Sequence, residues 1–310
     1  MPILKSNSIK LINMLQSPIC GGSISYNNNV FFDQNNNIFP FLKGLPVLIN
    51  RDRSLFDLDS LGGSMIQRRG VMVNEIKNLL DQNRVVKKEC ISFIREVKRV
   101  AKQEGFDKAK ILIVGGGGLG VGVGDLINDP DLEIISFDVY WSEFISFIAD
   151  GHDVPLIDGA VHGVWAQAVL EHVLDPQRVV SELHRVTCNN GYVYAEVPFM
   201  QMVHEGPYDF ARFSHSGLRW LFRNFDELSA GSIDGPGTTL RWSLRYFVLS
   251  ISRSKIMAAA VYWGCIWLSW IDRLIPESYR ILSSSGFFFF GRKSICPLKS
   301  NKIVAYYRGL

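Results

Sequence analysis

Ile111-Leu112-Ile113-Val114-Gly115-Gly116-Gly117-Gly118-Leu119-Gly120-Val121-Gly122-Val123-Gly124 is the stretch from which the fold of this chain is read. A β-branched and aliphatic run enters a glycine-dense turn, and Asp125-Leu126-Ile127 then opens a helical pattern. This is a strand that stops at a tight turn and hands over to a helix N-terminus. Glycine there permits positive φ and close approach of a ligand to the backbone. Gly115, Gly117 and Gly120 satisfy G-x-G-x-x-G, a pattern that by itself points only to a nucleotide-like ligand.

Downstream of the turn, strand and helix patterns alternate, as in a parallel sheet covered by helices. Residues 132–137 form a second expected strand ending at Asp138, 145–149 a third ending at Asp150, and 161–166 a fourth. A helix is expected from about Pro176 to Val186, with Val179, Val180, Leu183 and Val186 on its apolar face. Asn189-Asn190-Gly191 reads as a turn before a fifth strand, 192–197, which Pro198 stops. Ser216 is the expected N-cap of the next helix, 228–233 a further strand, and Phe287 to Phe290 a buried last one.

The glycine turn and Asp138, 18 residues beyond Gly120, suit a nicotinamide or flavin dinucleotide as well as S-adenosylmethionine. The later strands separate them. No Tyr-x-x-x-Lys pair and no second glycine fingerprint accompany the first, as hydride transfer on a dinucleotide would want. Instead Ala149-Asp150 is followed by Pro155, and Leu170-Glu171-His172-Val173-Leu174-Asp175-Pro176 follows the fourth strand. These segments, with the apolar strand after the Asn-Gly turn, resemble in order and spacing the class I S-adenosylmethionine-dependent methyltransferases of the type 11 kind, over roughly residues 108–235.

The resemblance implies an α/β fold: a Rossmann-like seven-stranded sheet with helices on both faces, closed by an antiparallel last strand. It implies S-adenosylmethionine as cofactor, with Gly115 and Gly117 beside its methionine part and ribose, and Asp138 accepting from both ribose hydroxyls. Asp150, with Gly151 beside it, matches the acid that receives the adenine amino group, and Gln167 and Ala168 would line the pocket near the methyl donor. Where the family has an Asp or Gly after the first strand, this chain has only glycines.

After the fifth strand, residues 198–213 resemble the H-x-x-P-x-D-x-x-R-F segment of one branch of these enzymes, with His204, Pro207, Asp209, Arg212 and Phe213 in register. There His204 is the candidate catalytic base, and Tyr208, Asp209 and Arg212, with His172, are candidates for the acceptor side. The bland alternatives are an i, i+3 ion pair between Asp209 and Arg212, a turn-capping role for His204, and a backbone-orienting role for His172.

Residues 1–60 read as a small module. Ser17-Pro18-Ile19-Cys20-Gly21 and Gly44-Leu45-Pro46-Val47-Leu48 resemble the C-P-x-C-G opening and G-I-P-V-L ending of a zinc ribbon that partners some methyltransferases. Ser17 replaces the first cysteine, so a degenerate, zinc-free module is expected. Residues 61–108 are expected to be a helical linker, with Val73, Ile76, Leu79 and Leu80 and then Ile91, Ile94 and Val97 in helical register. The catalytic core spans 109–239, a helical insertion 240–283, and the final strand 284–310.

Composition narrows the partners. With 310 residues, 47% hydrophobic and 20% charged, the chain has a globular protein's make-up, and a net charge of +3 gives no electrostatic footprint for nucleic acid. Five scattered cysteines without a C-x-x-C pair suggest neither disulfides nor a metal, and fit a cytoplasmic setting. Residues 256–271 form an apolar run shorter than the roughly 20 residues a spanning helix needs. Trp263, Trp267 and Trp270 share one helix face there, suited to packing, to a homodimer or to peripheral membrane contact. The function expected is methyl transfer to an O or N of a small or carrier-linked acceptor. The alternatives are a non-catalytic S-adenosylmethionine-fold binding protein and an NAD(P)-dependent oxidoreductase.

Overall fold

A computed structural model describes residues 8–56, 84–118, 120 and 123–310. The helical register expected at Val73, Ile76, Leu79 and Leu80, and the turn positions Leu119, Val121 and Gly122, lie outside the described residues. The chain divides into two compact units, Met1–Gln167 with Gln177–Tyr194, and Ala168–Pro176 with Ala195–Leu310.

The first unit opens with strands β1 (Ile24–Asn27), β2 (Val30–Asp33) and β3 (Ile38–Phe39), which form a three-stranded sheet of their own. β4 (Phe41–Leu42) and β5 (Leu45–Leu48) follow, then helix α1 (Arg84–Gln103) and the strands β6 (Ala109–Val114), β7 (Leu132–Asp138), β8 (Phe147–Ala149), β9 (Val161–Gln167) and β10 (Thr187–Pro198). Between them lie helices α2 (Val123–Ile127) and α3 (Pro176–Val186). The strand order is β4-β5-β8-β7-β6-β9-β10. β6 pairs parallel with β7 on one side and β9 on the other, and β8 lies parallel to β7. Succession along the chain therefore reverses at β6, which makes the carboxyl ends of β6 and β9 the switch point of the sheet.

The burial patterns explain this order. Five of the six residues of β6 are buried, a near-continuous apolar strand that only a central position covered on both faces accommodates. Trp165 on β9 stacks on Tyr194 at 4.0 Å and meets Phe93 of α1 edge-on at 5.4 Å. At Gly163 a Cβ would come within 2.6 Å of Phe93 and Val97, so α1 rests in a gap that only glycine leaves. Gly163→Ala should therefore destabilise the chain by about 1–3 kcal/mol in urea unfolding; an unchanged midpoint would show that α1 can shift at no cost.

The sheet is wider than the seven strands expected. β5 pairs parallel with β8 (Val47 with Ile148, Leu48 with Ala149), so the first 60 residues supply an added edge. All four β5 residues are buried, and Leu45 and Val47 pack with Ile145 and Ile148.

The turn beside this edge is organised by Asp33, which is 1% exposed. Its Oδ2 accepts from the Ser17 hydroxyl (2.7 Å), the Asn37 side-chain amide (2.9 Å) and the Cys20 thiol (3.3 Å), and its Oδ1 from the backbone of Asn35 and Asn37. Burial alone would raise the Asp33 pKa; the hydrogen bonds from Asn37, Ser17 and Cys20 outweigh it and hold it at about 2. A pKa depressed in the folded state contributes stability above the unfolded value near 4, which is lost as pH falls through about 2. Asp33→Asn should cost about 2 kcal/mol at pH 7, and the gap to wild type should narrow below about pH 4. Urea midpoints at the two pH values measure both; a gap that persists into acid would remove the charge from the explanation.

Two local expectations are corrected. Asn189-Asn190-Gly191 is not a turn ahead of the strand but lies within β10, with Asn190 left-handed at φ 63°. The helix after residue 213 is capped by Ser214 rather than Ser216: the Ser214 hydroxyl accepts from Gly217 N at 3.2 Å, and the helix, α4, covers His215–Leu221. Either serine can cap, and the one whose hydroxyl reaches the third amide along does so.

In the second unit the end of β10 neighbours β12 (Gly286–Lys293), which pairs antiparallel with β11 (Phe225–Ser232). The helical stretch comprises α5 (Pro236–Ser252), α6 (Lys255–Gly264), α7 (Ile266–Ile271) and, after a 3-10 turn, α8 (Glu277–Ser283). Asp272, 5% exposed, accepts from the amides of Gly237 (2.7 Å) and Thr238 (2.8 Å), capping α5 from a distant position in the chain. Buried Arg241 lies 3.8 Å over the Tyr262 ring and bonds to Ser269. The apolar run 256–271 is thus two helices broken at Cys265, and its three tryptophans remain 37–54% exposed. Among the described residues no helix is long and apolar enough to cross a membrane.

Candidate functional site

Of the residues predicted for the cofactor, Gly115, Gly117, Asp138 and Gln167 lie at or beside the switch point of the first unit, Asp150 and Gly151 follow β8, and Ala168 belongs to the second unit. Gly115 follows β6, its φ of +69° turning the chain, and Gly116 N donates to Phe137 O on β7 at 3.0 Å. The following amide, Gly117 N, donates to Asp138 Oδ2 at 2.9 Å. A Cβ on Gly117 would sit 2.5 Å from that oxygen, so the close approach of turn and carboxylate requires glycine. Asp138 Oδ1 accepts from Tyr140 N at 3.1 Å, and the residue is 7% exposed. The two backbone bonds fix the rotamer of this acceptor-only group. At Gly120 a Cβ would come within 2.1 Å of Gln167 Oε1, which brings the end of β9 against the glycine turn.

Asp150, at the end of β8, is 5% exposed and caps the 3-10 turn Gly151–Asp153. Its Oδ1 accepts from His152 N (3.0 Å) and faces His152 Nδ1 (2.6 Å), while Oδ2 accepts from the Ser54 hydroxyl. Burial works to raise its pKa, but the contacts with His152 and Ser54 prevail and hold it below the usual carboxylate range. A cavity of about 320 Å³ lies under the glycine turn, between β6–β7 and α2, and is lined by Ile113, Gly116, Val123, Ile134 and Phe144. Neither carboxylate borders it.

The predicted acceptor-side residues gather in the second unit. Ala168, predicted for the cofactor side, opens this unit: it is left-handed at φ 54°, a conformation that costs a non-glycine residue energy, and its amide is held by Glu196 O at 3.1 Å. The chain then turns through Glu171 and His172. In the loop after β10, His204 N donates to Asp209 Oδ2 at 2.8 Å, and Arg212 pairs bidentately with the Asp209 carboxylate. Arg212 also donates to the carbonyls of Gln201 and Met202. With the Asp209 side chain 1% exposed and its pKa lowered to about 2, first by the Arg212 guanidinium, these two residues brace the loop. Tyr208 holds His172: its carbonyl lies 2.7 Å from His172 Nδ1.

At the centre of this cluster is Glu171, which belongs to the Leu170–Pro176 motif but is not among the site residues expected from the sequence. Its side chain is 1% exposed, and neither carboxylate oxygen has a hydrogen-bond donor. Oε1 lies 3.4 Å from His204 Nε2 and 3.7 Å from His172 Nε2, at ion-pair distance without an aligned hydrogen bond. The Glu171 carboxylate holds the His204 pKa above the ordinary imidazole value, against the effect of burial. The two rings meet edge to face, 4.8 Å between centroids. A charge in an apolar sequence context, Leu170 before it and Val173 after, was the available signal.

Residues 130–195 match the model of a methyltransferase domain, type 11. That segment contains Asp138, Asp150, Gly151, Gln167, Ala168, Glu171 and His172. A sequence search of curated proteins finds no match. Among solved structures, the chain is similar to an S-adenosylmethionine-dependent methyltransferase from Archaeoglobus fulgidus, at 13% identity and a TM-score of 0.43, covering 71% of this chain and 99% of that one. It is also similar to a phosphoethanolamine N-methyltransferase 2 from Haemonchus contortus, in complex with phosphomonomethylethanolamine and S-adenosylhomocysteine. There the identity is 11% and the TM-score 0.40, with 67% of this chain and 52% of that one covered. Both likenesses are remote.

Proposed function

We propose that this chain is an enzyme that transfers a methyl group from S-adenosylmethionine to an oxygen or nitrogen of a small or carrier-linked acceptor. The observation that carries the reading is that the matched methyltransferase segment holds Asp138 buried at a strand end, fixed by Gly117 and Tyr140 amides at the switch point of the sheet. In this reading Asp138 accepts from the ribose hydroxyls, Gly115 and Gly117 leave room for the methionine part, and Asp150 and Gly151 meet the adenine. Gln167 and Ala168 stand beside the donor methyl.

Methyl transfer from a sulfonium is an in-line displacement: the acceptor lone pair forms the new C–O or C–N bond as the S–C bond breaks, leaving the neutral thioether. The donor brings its own activation, so the protein contributes mainly alignment, which is worth about 7–11 kcal/mol in well-oriented systems. A hydroxyl or ammonium acceptor must also lose a proton, and His204 is the proposed proton acceptor, with His172, Tyr208, Asp209 and Arg212 shaping or bracing the acceptor side. The first module is read as a degenerate zinc ribbon in which the hydrogen-bonded cluster of Ser17, Cys20, Asp33 and Asn37 takes the place of a metal; this is supported by Ser17 and Cys20 both donating to Asp33.

Calorimetry tests the cofactor: S-adenosylmethionine should bind and NAD(P) should not. Turnover of labelled donor over a panel of hydroxyl and amine acceptors tests the reaction. A folded chain that binds no S-adenosylmethionine would overturn the proposal, and one that binds it but labels no acceptor would be a non-catalytic binder.

A further inference from the structure

The Glu171 carboxyl is 1% exposed with no hydrogen-bond donor on either oxygen, an arrangement that is costly for a carboxylate unless a cation compensates it. What faces it is a pair of imidazoles. A carbonyl oxygen can only accept, so His172 Nδ1, 2.7 Å from Tyr208 O, carries the proton in the neutral ring, and Nε2 keeps its lone pair. That nitrogen lies 3.7 Å from Glu171 Oε1. His204 presents the same face: Nδ1 lies 3.4 Å from Met202 O and 3.7 Å from Asp209 Oδ2, and Nε2 lies 3.4 Å from Glu171 Oε1. One oxygen and two imidazole nitrogens thus fall within 4.8 Å of one another. Two ligands each about 2.1 Å from a tetrahedral ion stand roughly 3.4 Å apart, close to both Glu–His separations.

The outer groups are those that a metal site uses. Each histidine directs its other ring nitrogen toward a backbone carbonyl, and His204 has in addition a carboxylate, Asp209. The Asp209 carboxylate is itself held by Arg212.

We propose that Glu171, His172 and His204 form a site for a divalent transition-metal ion, bound through one carboxylate oxygen and two imidazole Nε2 atoms. Nitrogen-rich donors of this kind suit Zn²⁺, Co²⁺ or Fe²⁺ rather than Mg²⁺ or Ca²⁺. Three protein ligands leave coordination positions open. The proposal takes its role from the methyltransferase reading above: an acceptor hydroxyl bound at an open position would have its pKa lowered by the ion and would give its proton to solvent water. With the ion in place His204 is a ligand, and the free-imidazole base is excluded; the two assignments are alternatives.

The test is a Zn²⁺ titration of the full chain after chelator treatment, followed by calorimetry and repeated with Co²⁺, whose visible absorption reports its donor set. One equivalent should bind. Affinity should fall by on the order of 100-fold in His172→Ala and in the near-isosteric Glu171→Gln, with circular dichroism confirming that both variants fold. Cys20→Ser should leave stoichiometry and affinity unchanged. Absence of Zn²⁺ and Co²⁺ binding, or binding that survives both variants, would overturn the site. Binding of S-adenosylmethionine is measured separately, so loss of the metal site would leave the methyltransferase reading, with His204 as base, to stand or fall alone.

Discussion

Asp138→Ala is expected to raise the dissociation constant for S-adenosylmethionine by roughly 100- to 10,000-fold. In the proposed reading two charge-assisted hydrogen bonds to the ribose would be lost, each worth about 1.5–3 kcal/mol. The effect is large because the site is prepared before the ligand arrives. Asp138 is 7% exposed and its oxygens are already oriented by the amides of Gly117 and Tyr140, so little ordering remains to be done on binding. The same substitution orphans those two amides, so stability must be followed in parallel. Asp138→Asn keeps an acceptor and the shape and should fall between wild type and alanine. Calorimetry on folded protein decides: an unchanged dissociation constant in Asp138→Ala would mean that the carboxylate serves only the turn.

His204→Ala carries the second large effect. Methyl transfer to a hydroxyl acceptor should drop by about 100- to 10,000-fold, the range a positioned proton acceptor contributes, while donor binding stays within a few-fold of wild type. The split between the two readouts matters, since a merely structural histidine would disturb both or neither. The position is permissive for the experiment: the His204 side chain is 31% exposed, and the loop is braced independently by Asp209 and Arg212. Single-turnover rates with labelled donor measure it. Turnover within a few-fold of wild type would move the acceptor chemistry away from this cluster.

The strand and helix pattern from residue 109 onward was legible because each element carries its own period. β6 is apolar throughout since it is central, and α3 runs from Pro176 to Val186 because proline at its first turn and the 3.6-residue spacing of Val179, Val180, Leu183 and Val186 leave no other reading. Where the residues serve equally in two local structures, the pattern misled. Asn189-Asn190-Gly191 has turn chemistry yet sits inside β10, and two serines competed to cap α4. The pairing of β5 with β8 was invisible, because a short apolar strand says nothing about which edge it will join.

The order of the elements, and the alignment of the glycine turn with Asp138 at neighbouring strand ends, were determined by the sequence alone. The spacing of the glycine turn, Asp138 and Asp150 follows from strand ends that a parallel sheet must align. The tertiary structure decided the rest, by bringing together groups far apart in the chain. Glu171 and His204 are 33 positions apart and become neighbours at 3.4 Å only when the loop after β10 folds back through the Asp209–Arg212 brace. Spacing along a chain records local geometry. A buried carboxylate without a hydrogen-bond donor, facing two imidazoles, is a property of the packed molecule and appears nowhere in the pattern of residues.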